Sequence, residues 1–192
     1  PVQPHVKMVM EKIIAERSMK RAARKIKKTK RKRVSTENPL KDCRKTPGDV
    51  LYLLEGESAD GPLSQIRDKN TEASLPISGK ILNVLNASPE KAVNSKKFKY
   101  ILEALGVQLG KKKQKYRYDR VKILTDADSD GYHIATLLII GIWKYAPSLI
   151  YDGKLSLLLP PLYGAVKKKK PFVPIYYDIE RIKYEKLNYE II

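Results

Sequence analysis

Apolar residues cluster in short runs along this chain, and several of those runs end directly in acids or glycine. Asp49-Val50-Leu51-Tyr52-Leu53-Leu54 predicts a buried strand that delivers Glu55 and Gly56 at its C-terminal end. Ser58 is then placed to cap a helix running toward Asp68. Gly79 to Val84 holds another short apolar run, and Ser88-Pro89-Glu90 combines a serine cap, a first-turn proline and an early acid. That is a helix start, and the helical stretch it opens ends at Gly106. After the Lys111-Lys112-Lys113 loop, Arg120-Val121-Lys122-Ile123-Leu124-Thr125 predicts a second strand that runs straight into acids. The nearly all-apolar stretch from Ile134 to Tyr145 predicts a helix stopped by Pro147, and Leu155 to Leu159 a third strand closed by Pro160-Pro161. Strands alternating with helices in this way predict an α/β domain with a mostly parallel sheet. No internal repeat is visible.

The first quarter of the chain reads differently. Met8, Ala15, Met19, Ala22 and Ile26 recur at helical spacing and predict a helix with a thin apolar stripe and a wide basic face, ending in Lys30-Arg31-Lys32-Arg33. Such a face is either solvated or laid along DNA phosphates, where each neutralised phosphate adds salt-dependent affinity. From Val34 to Gly48 the composition turns polar, with Pro39 and Pro47, and predicts a linker.

Charge gives that arrangement a partner class. The chain has 192 residues, with 39 Lys+Arg against 21 Asp+Glu, a formal net charge of +18 that points toward a polyanion. Residues 1–33 alone hold 13 Lys/Arg and two Glu. Hydrophobic residues make up 42%, enough for a true core and too many for a wholly disordered chain. The single cysteine, Cys43, excludes an intrachain disulfide framework and a Cys-based zinc cluster, which fits a reducing compartment. Ile134 to Ile142 is about half the ~20 residues that a bilayer-spanning helix needs, and the basic start has no apolar signal core. Because the sequence opens on Pro1, it is expected to be cut from a longer chain.

The chemistry gathers in two places. In Asp126-Ala127-Asp128-Ser129-Asp130-Gly131, three carboxylates stand two residues apart directly after a strand, where their repulsion calls for a cation. An EF-hand begins this way but needs a bidentate Glu at its twelfth position, which here is Leu137. Magnesium suits the pattern better, since it takes one or two carboxylates and keeps waters that phosphate oxygens can replace. A merely solvated acidic turn is the bland alternative. The second place is Glu55-Gly56-Glu57-Ser58-Ala59, also at a strand end. Alone it reads as a surface turn. Parallel strands, however, bring their C-terminal ends to one edge of the sheet, so Glu55 and the aspartates can share a site. On so basic a protein that site should see a phosphodiester, with Glu55 placed to move a proton at the leaving or attacking oxygen.

These blocks, together with Pro76-Ile77-Ser78-Gly79-Lys80-Ile81-Leu82-Asn83-Val84, His133-Ile134 and Pro160-Pro161-Leu162-Tyr163, resemble in content and order the Toprim region of type IIA DNA topoisomerases. The likeness is to the B subunit of DNA gyrase and the equivalent subunit of topoisomerase IV. It runs from about residue 6 to 166 and includes Lys41-Asp42-Cys43 before the first strand. It implies a Toprim, Rossmann-like sheet flanked by helices, with a basic helical segment at 1–33, a linker at 34–48, the Toprim domain at 49–166 and the start of a C-terminal tail at 167–192.

The resemblance also implies roles. Glu55 is the metal ligand and general acid/base at the scissile ribose 3′ oxygen, Asp126 and Asp128 are the principal ligands of Mg2+ (Mn2+ as a substitute), and Asp130 is a further or alternate ligand. Lys80, Asn83 and His133 fall near the DNA backbone, while Arg67 is either a phosphate ligand or an exposed helical arginine. The attacking tyrosine comes from an A-type partner subunit in an A2B2 heterotetramer acting on double-stranded DNA, so none of the 12 Tyr here need be a nucleophile. ATP acts only through a domain outside this chain, and the fragment alone is expected to be inactive. The implied setting is cytoplasmic and DNA-associated, in the nucleoid. The departures are Glu57 for the usual Asp, Ser78 for Arg or Lys, Asp60 and Pro62 within a small-residue stretch, and Ala135 for Arg. They suggest a phage, organellar or otherwise atypical lineage and leave quinolone sensitivity open. A Toprim nuclease and a non-catalytic DNA-binding module are the alternatives.

Overall fold

A computed structural model describes residues 11, 13–23, 34–111 and 114–192. Residues 13–23 form helix α1, which buries Ala22 and lays Met19 and Ala23 partly against the core. His5, Met8, Ile26, the Lys30–Arg33 run, Lys112 and Lys113 lie outside the described residues.

The central layer is a four-stranded sheet built from β1 (Gly48–Leu54), β2 (Glu72–Pro76), β3 (Tyr118–Leu124) and β4 (Leu155–Leu158), in the order β2-β1-β3-β4. All three pairings are parallel, as the alternation of strands and helices predicts. A parallel strand in the middle of a sheet is covered on both faces and therefore reads as a continuous apolar run. Leu51, Leu53 and Leu54 of β1 are fully buried, and Ile123 of β3 joins them. Each such side chain contributes about 1.5–3 kcal/mol on leaving water.

Helices connect the strands: α2 (Gly56–Ile66), α3 (Pro89–Asn94), α4 (Lys96–Leu105), α5 (Ser129–Tyr145) and the short α6 (Ser148–Tyr151). The predicted stretch from Ser88 to Gly106 is two helices, broken at Ser95. Ser88 caps α3 by accepting from the Lys91 amide at 3.2 Å, and Gly106, in the left-handed region at φ 75°, ends α4. Phe98 of α4 packs within 2.6 Å of where a Cβ on Gly141 of α5 would stand, so the glycine sets how closely the two helices approach.

The structure adds to or changes the sequence reading at four points. The strand β2 is not visible in the sequence, because Glu72–Pro76 is short, alternates polar with apolar residues and ends in proline. The Gly79–Val84 run is irregular and buries Ile81 and Val84 without forming a strand. Glu55, not Ser58, occupies the N-cap position of α2, and Ser58 lies inside the helix. Helix α5 begins at Ser129, five residues earlier than its apolar run suggests, because Asp128 caps it.

The polar 34–48 stretch does more than connect. Lys41 pairs with Ser74 of the edge strand β2 through two backbone hydrogen bonds of 2.8 and 3.1 Å, covering that open edge. Beyond β4, the chain forms a second, antiparallel sheet of β5 (Tyr163–Val166), β6 (Val173–Ile175) and β7 (Glu190–Ile191) in the order β6-β5-β7, with α7 (Asp178–Lys186) between β6 and β7. Nothing in the alternation pattern announces it. Among the described residues, no helix is long and apolar enough to cross a membrane.

Candidate active site

Because β1 and β3 are neighbours with Leu54 opposite Leu124, the residues that follow them emerge side by side. The Glu55 amide donates to the Leu124 carbonyl at 3.1 Å, and the Asp126 amide donates to Glu55 Oε2 at 3.1 Å. The predicted meeting of Glu55 and Asp126 at one sheet edge is thus present, and a backbone hydrogen bond fixes the glutamate. Gly56 follows at φ 83°, a left-handed conformation that lets the chain turn from strand to helix within one residue.

Asp128 extends one carboxylate oxygen to the Gly131 amide at 2.7 Å and so caps α5, leaving its other oxygen available. Asp130 lies exposed in the first turn of the same helix, where an acid also complements the positive end of the helix dipole. Gly131 presses against the strand end: a Cβ there would stand 2.1 Å from the Asp126 carbonyl oxygen. Only glycine allows the helix to start this close behind Asp126.

Among the described residues, no carboxylate of Glu55, Glu57, Asp126, Asp128 or Asp130 has an ion-pair partner. Uncompensated acids on one edge favour an added cation. Among those residues no group of three His, Cys, Asp or Glu side chains forms a ready metal cage. The Glu55 and Asp126 carboxylates nonetheless offer hard oxygen donors of the kind that divalent cations take.

The β2 end lies on the same edge. Its chain continues with the Ile77 amide donating to the Leu54 carbonyl at 2.8 Å, which carries Ser78, Gly79 and Lys80 out beside Glu55. Lys80 is exposed. Asn83 is exposed too, but its Oδ1 accepts from the Leu85 amide at 3.0 Å and shapes the turn. His133 is exposed on the first turns of α5. Arg67 is not brought to this edge. It follows the far end of α2 and donates from Nη1 to the carbonyl of Glu72, the first residue of β2, with its Nε buried.

Two residues that no sequence motif marks support the site. Lys144 of α5 donates from Nζ to the carbonyls of Val84, Leu85 and Ala87 at 2.6, 3.0 and 2.9 Å and pins the loop that carries Lys80 and Asn83. Burial lowers its pKa. Lys97 of α4 reaches the Lys80 carbonyl at 3.4 Å. A lysine near the end of an otherwise apolar helix is the only sequence signal for the first. The second has none.

Known proteins share this fold. The Toprim domain family matches residues 50–156, from β1 into β4. The chain is similar to the DNA gyrase B subunit of Treponema denticola, 39% identical over 185 residues that cover 92% of this chain and 29% of the relative. It is also similar to the DNA topoisomerase 4 B subunit of Caulobacter vibrioides, 42% identical over 158 residues, 76% of this chain and 23% of the relative. A solved structure of the Plasmodium falciparum topoisomerase II DNA-binding, cleavage and re-ligation domain superimposes with a TM-score of 0.71 at 27% identity, covering 84% of this chain and 24% of that one. The chain therefore spans less than a third of these relatives' own length. With a family match that reaches all four strands of the parallel sheet and both acidic strand ends, the chain belongs to the Toprim domain family.

Proposed function

We propose that this chain is the metal-binding Toprim part of a type IIA DNA topoisomerase, supporting reversible double-strand cleavage and religation with a tyrosine from an A-type partner subunit. The observation that carries the reading is the pair Glu55 and Asp126, held together on adjacent strand ends with no ion pair to a basic side chain among the described residues. In this reading Glu55 holds or releases the proton at the ribose 3′ oxygen, since a half-buried carboxylate with one oxygen already bonded keeps a fixed aim. Asp126 and Asp128 offer carboxylate oxygens to Mg2+ or Mn2+, and Asp130 adds negative charge beside them. When bound, the ion supplies Lewis-acid stabilisation of the charge that develops on the phosphate and the leaving oxygen. Lys80, Asn83 and His133 line the neighbouring path of the duplex.

The same reading takes 49–166 as the Toprim unit, 1–33 as a basic arm along DNA, 34–48 as its connector and 167–192 as the opening of a further segment. It places the assembled A2B2 enzyme in the cytoplasm on the nucleoid, with ATP hydrolysed by another domain. The test is magnesium-dependent cleavage of a duplex by this chain mixed with a tyrosine-bearing partner subunit, comparing wild type with Asp126→Asn. A 5′ end linked to protein with wild type, and cleavage lower by about 10²–10³-fold with the variant, is the expected result. Free ends made without the partner would replace this reading with a metal-dependent nuclease.

A further inference from the structure

Resting on the reading of this edge as a phosphodiester-cleaving site, we infer that Lys97 is a DNA-phosphate ligand, working with Lys80 on the β2 side of the carboxylates.

Lys97 lies on α4, outside every motif that marks the site in the sequence, yet its ammonium is delivered to the site's own turn. Its Nζ donates to the Lys80 carbonyl at 3.4 Å. It also stands 3.0 Å from where a Cβ on Gly79 would begin. Gly79, at φ 68°, thus gives up the space that the lysine head occupies. An ammonium carries three donors, and the Lys80 carbonyl engages one, so two remain.

Among the described residues, neither Lys80 nor Lys97 has an ion-pair partner, whereas the adjacent Lys96 has Glu37 at 3.4 Å and lies 5.9 Å over the Tyr100 ring. Lys97 also lines a cavity of about 260 Å³ together with Glu57 and Ser78, without reaching the glutamate. One ammonium seated against Gly79, with the exposed Lys80 next in the chain and Glu57 lining the same cavity without pairing, constitutes a site prepared for an anion. Along the edge the order is Lys80 and Lys97 after β2, Glu55 after β1 and Asp126 after β3. A phosphodiester whose scissile bond lies at the carboxylates directs neighbouring backbone oxygens toward the lysines, and this separates the two charge types that would otherwise have paired.

The test is the salt dependence of binding of this chain to a fluorescent duplex, for wild type, Lys97→Gln, Lys97→Arg and the double variant Lys80→Gln/Lys97→Gln. Removing one phosphate ligand lowers the slope of log K against log salt by about 0.9. Lys97→Gln should show a drop of about that size, Lys97→Arg should keep the wild-type slope, and the double variant should show about twice the drop. Gln retains a donor for the Lys80 carbonyl, so a purely structural role would leave the slope of Lys97→Gln at the wild-type value. That outcome overturns the inference. Partner-dependent cleavage by the wild type is scored separately. Cleavage with an unchanged slope removes Lys97 alone, and a changed slope without cleavage removes the topoisomerase reading while Lys97 stands as a phosphate ligand.

Discussion

The two ends of one parallel sheet treat charge in opposite ways. Where the strands begin, acids and bases cancel: Lys45 meets Asp49 at 2.7 Å, Lys154 meets Asp119 at 2.7 Å, Arg117 pairs with Asp42, and the Tyr118 hydroxyl donates to Asp42 Oδ1. Burial, together with the hydrogen bond to Asp42, pushes the Tyr118 phenol well above its ordinary pKa. Where the strands end lie Glu55, Asp126, Asp128 and Asp130, with Lys80 and Lys97 on the β2 side, and among the described residues none of these six forms an ion pair. A folding chain gains from cancelling charge, so an edge that declines to do so is shaped for something that arrives later. Both ends are rich in ionisable residues, and only the pairing tells them apart.

The contrast can be broken most severely at Gly131. A methyl group there would collide with the Asp126 backbone, and Gly131→Ala should destabilise the fold by about 3 kcal/mol, read from denaturant unfolding, and abolish partner-dependent cleavage. Asp60 is an intermediate case, a carboxylate 2% exposed and paired with Lys41 on the connector. Burial works to raise its pKa, but Lys41, the Ser74 hydroxyl and the charge of Arg67 together bring it below the usual range. A depressed carboxylate stabilises the fold above its unfolded value, near 3.8, and loses that contribution as pH falls through the lower folded value. Asp60→Asn should therefore cost about 1–2 kcal/mol at neutral pH, and the wild-type advantage should vanish in unfolding curves recorded well below pH 3.8. The smallest effect sharpens the contrast. Lys154→Ala at the paired end should lower the melting temperature slightly, while Asp126→Asn at the unpaired end should leave the metal-free melting temperature unchanged or slightly raised.

Much of this is legible without coordinates. Val50–Leu54 announces a central strand because burial on both faces leaves it almost wholly apolar, Val121–Leu124 is marked by apolar residues around a single Lys122, and the acids directly after both follow the parallel topology to one edge. Edge positions hide better. Glu72–Pro76 needs only one covered flank, so its polar residues mask it, and the antiparallel sheet from Tyr163 to Ile191 is assembled from strands of two to four residues. Asp128 is legible as an acid but not as a cap, since its partner is the amide of Gly131 and amides carry no sequence identity. Lys97 and Lys144 are illegible for a related reason. Each binds backbone carbonyls far away in sequence, pairings that no motif encodes.

Lys144 brings out a separation of responses to ionic strength. Its positive head is held by three neutral carbonyls. Mobile ions screen attraction between exposed opposite charges, but they act much less on a partly enclosed charge bonded to dipoles. On the function proposed above, rising salt weakens lysine bonds to a phosphate backbone while the loop from Val84 to Ala87 keeps its anchor, so the proposed binding surface keeps its shape as it lets a duplex go.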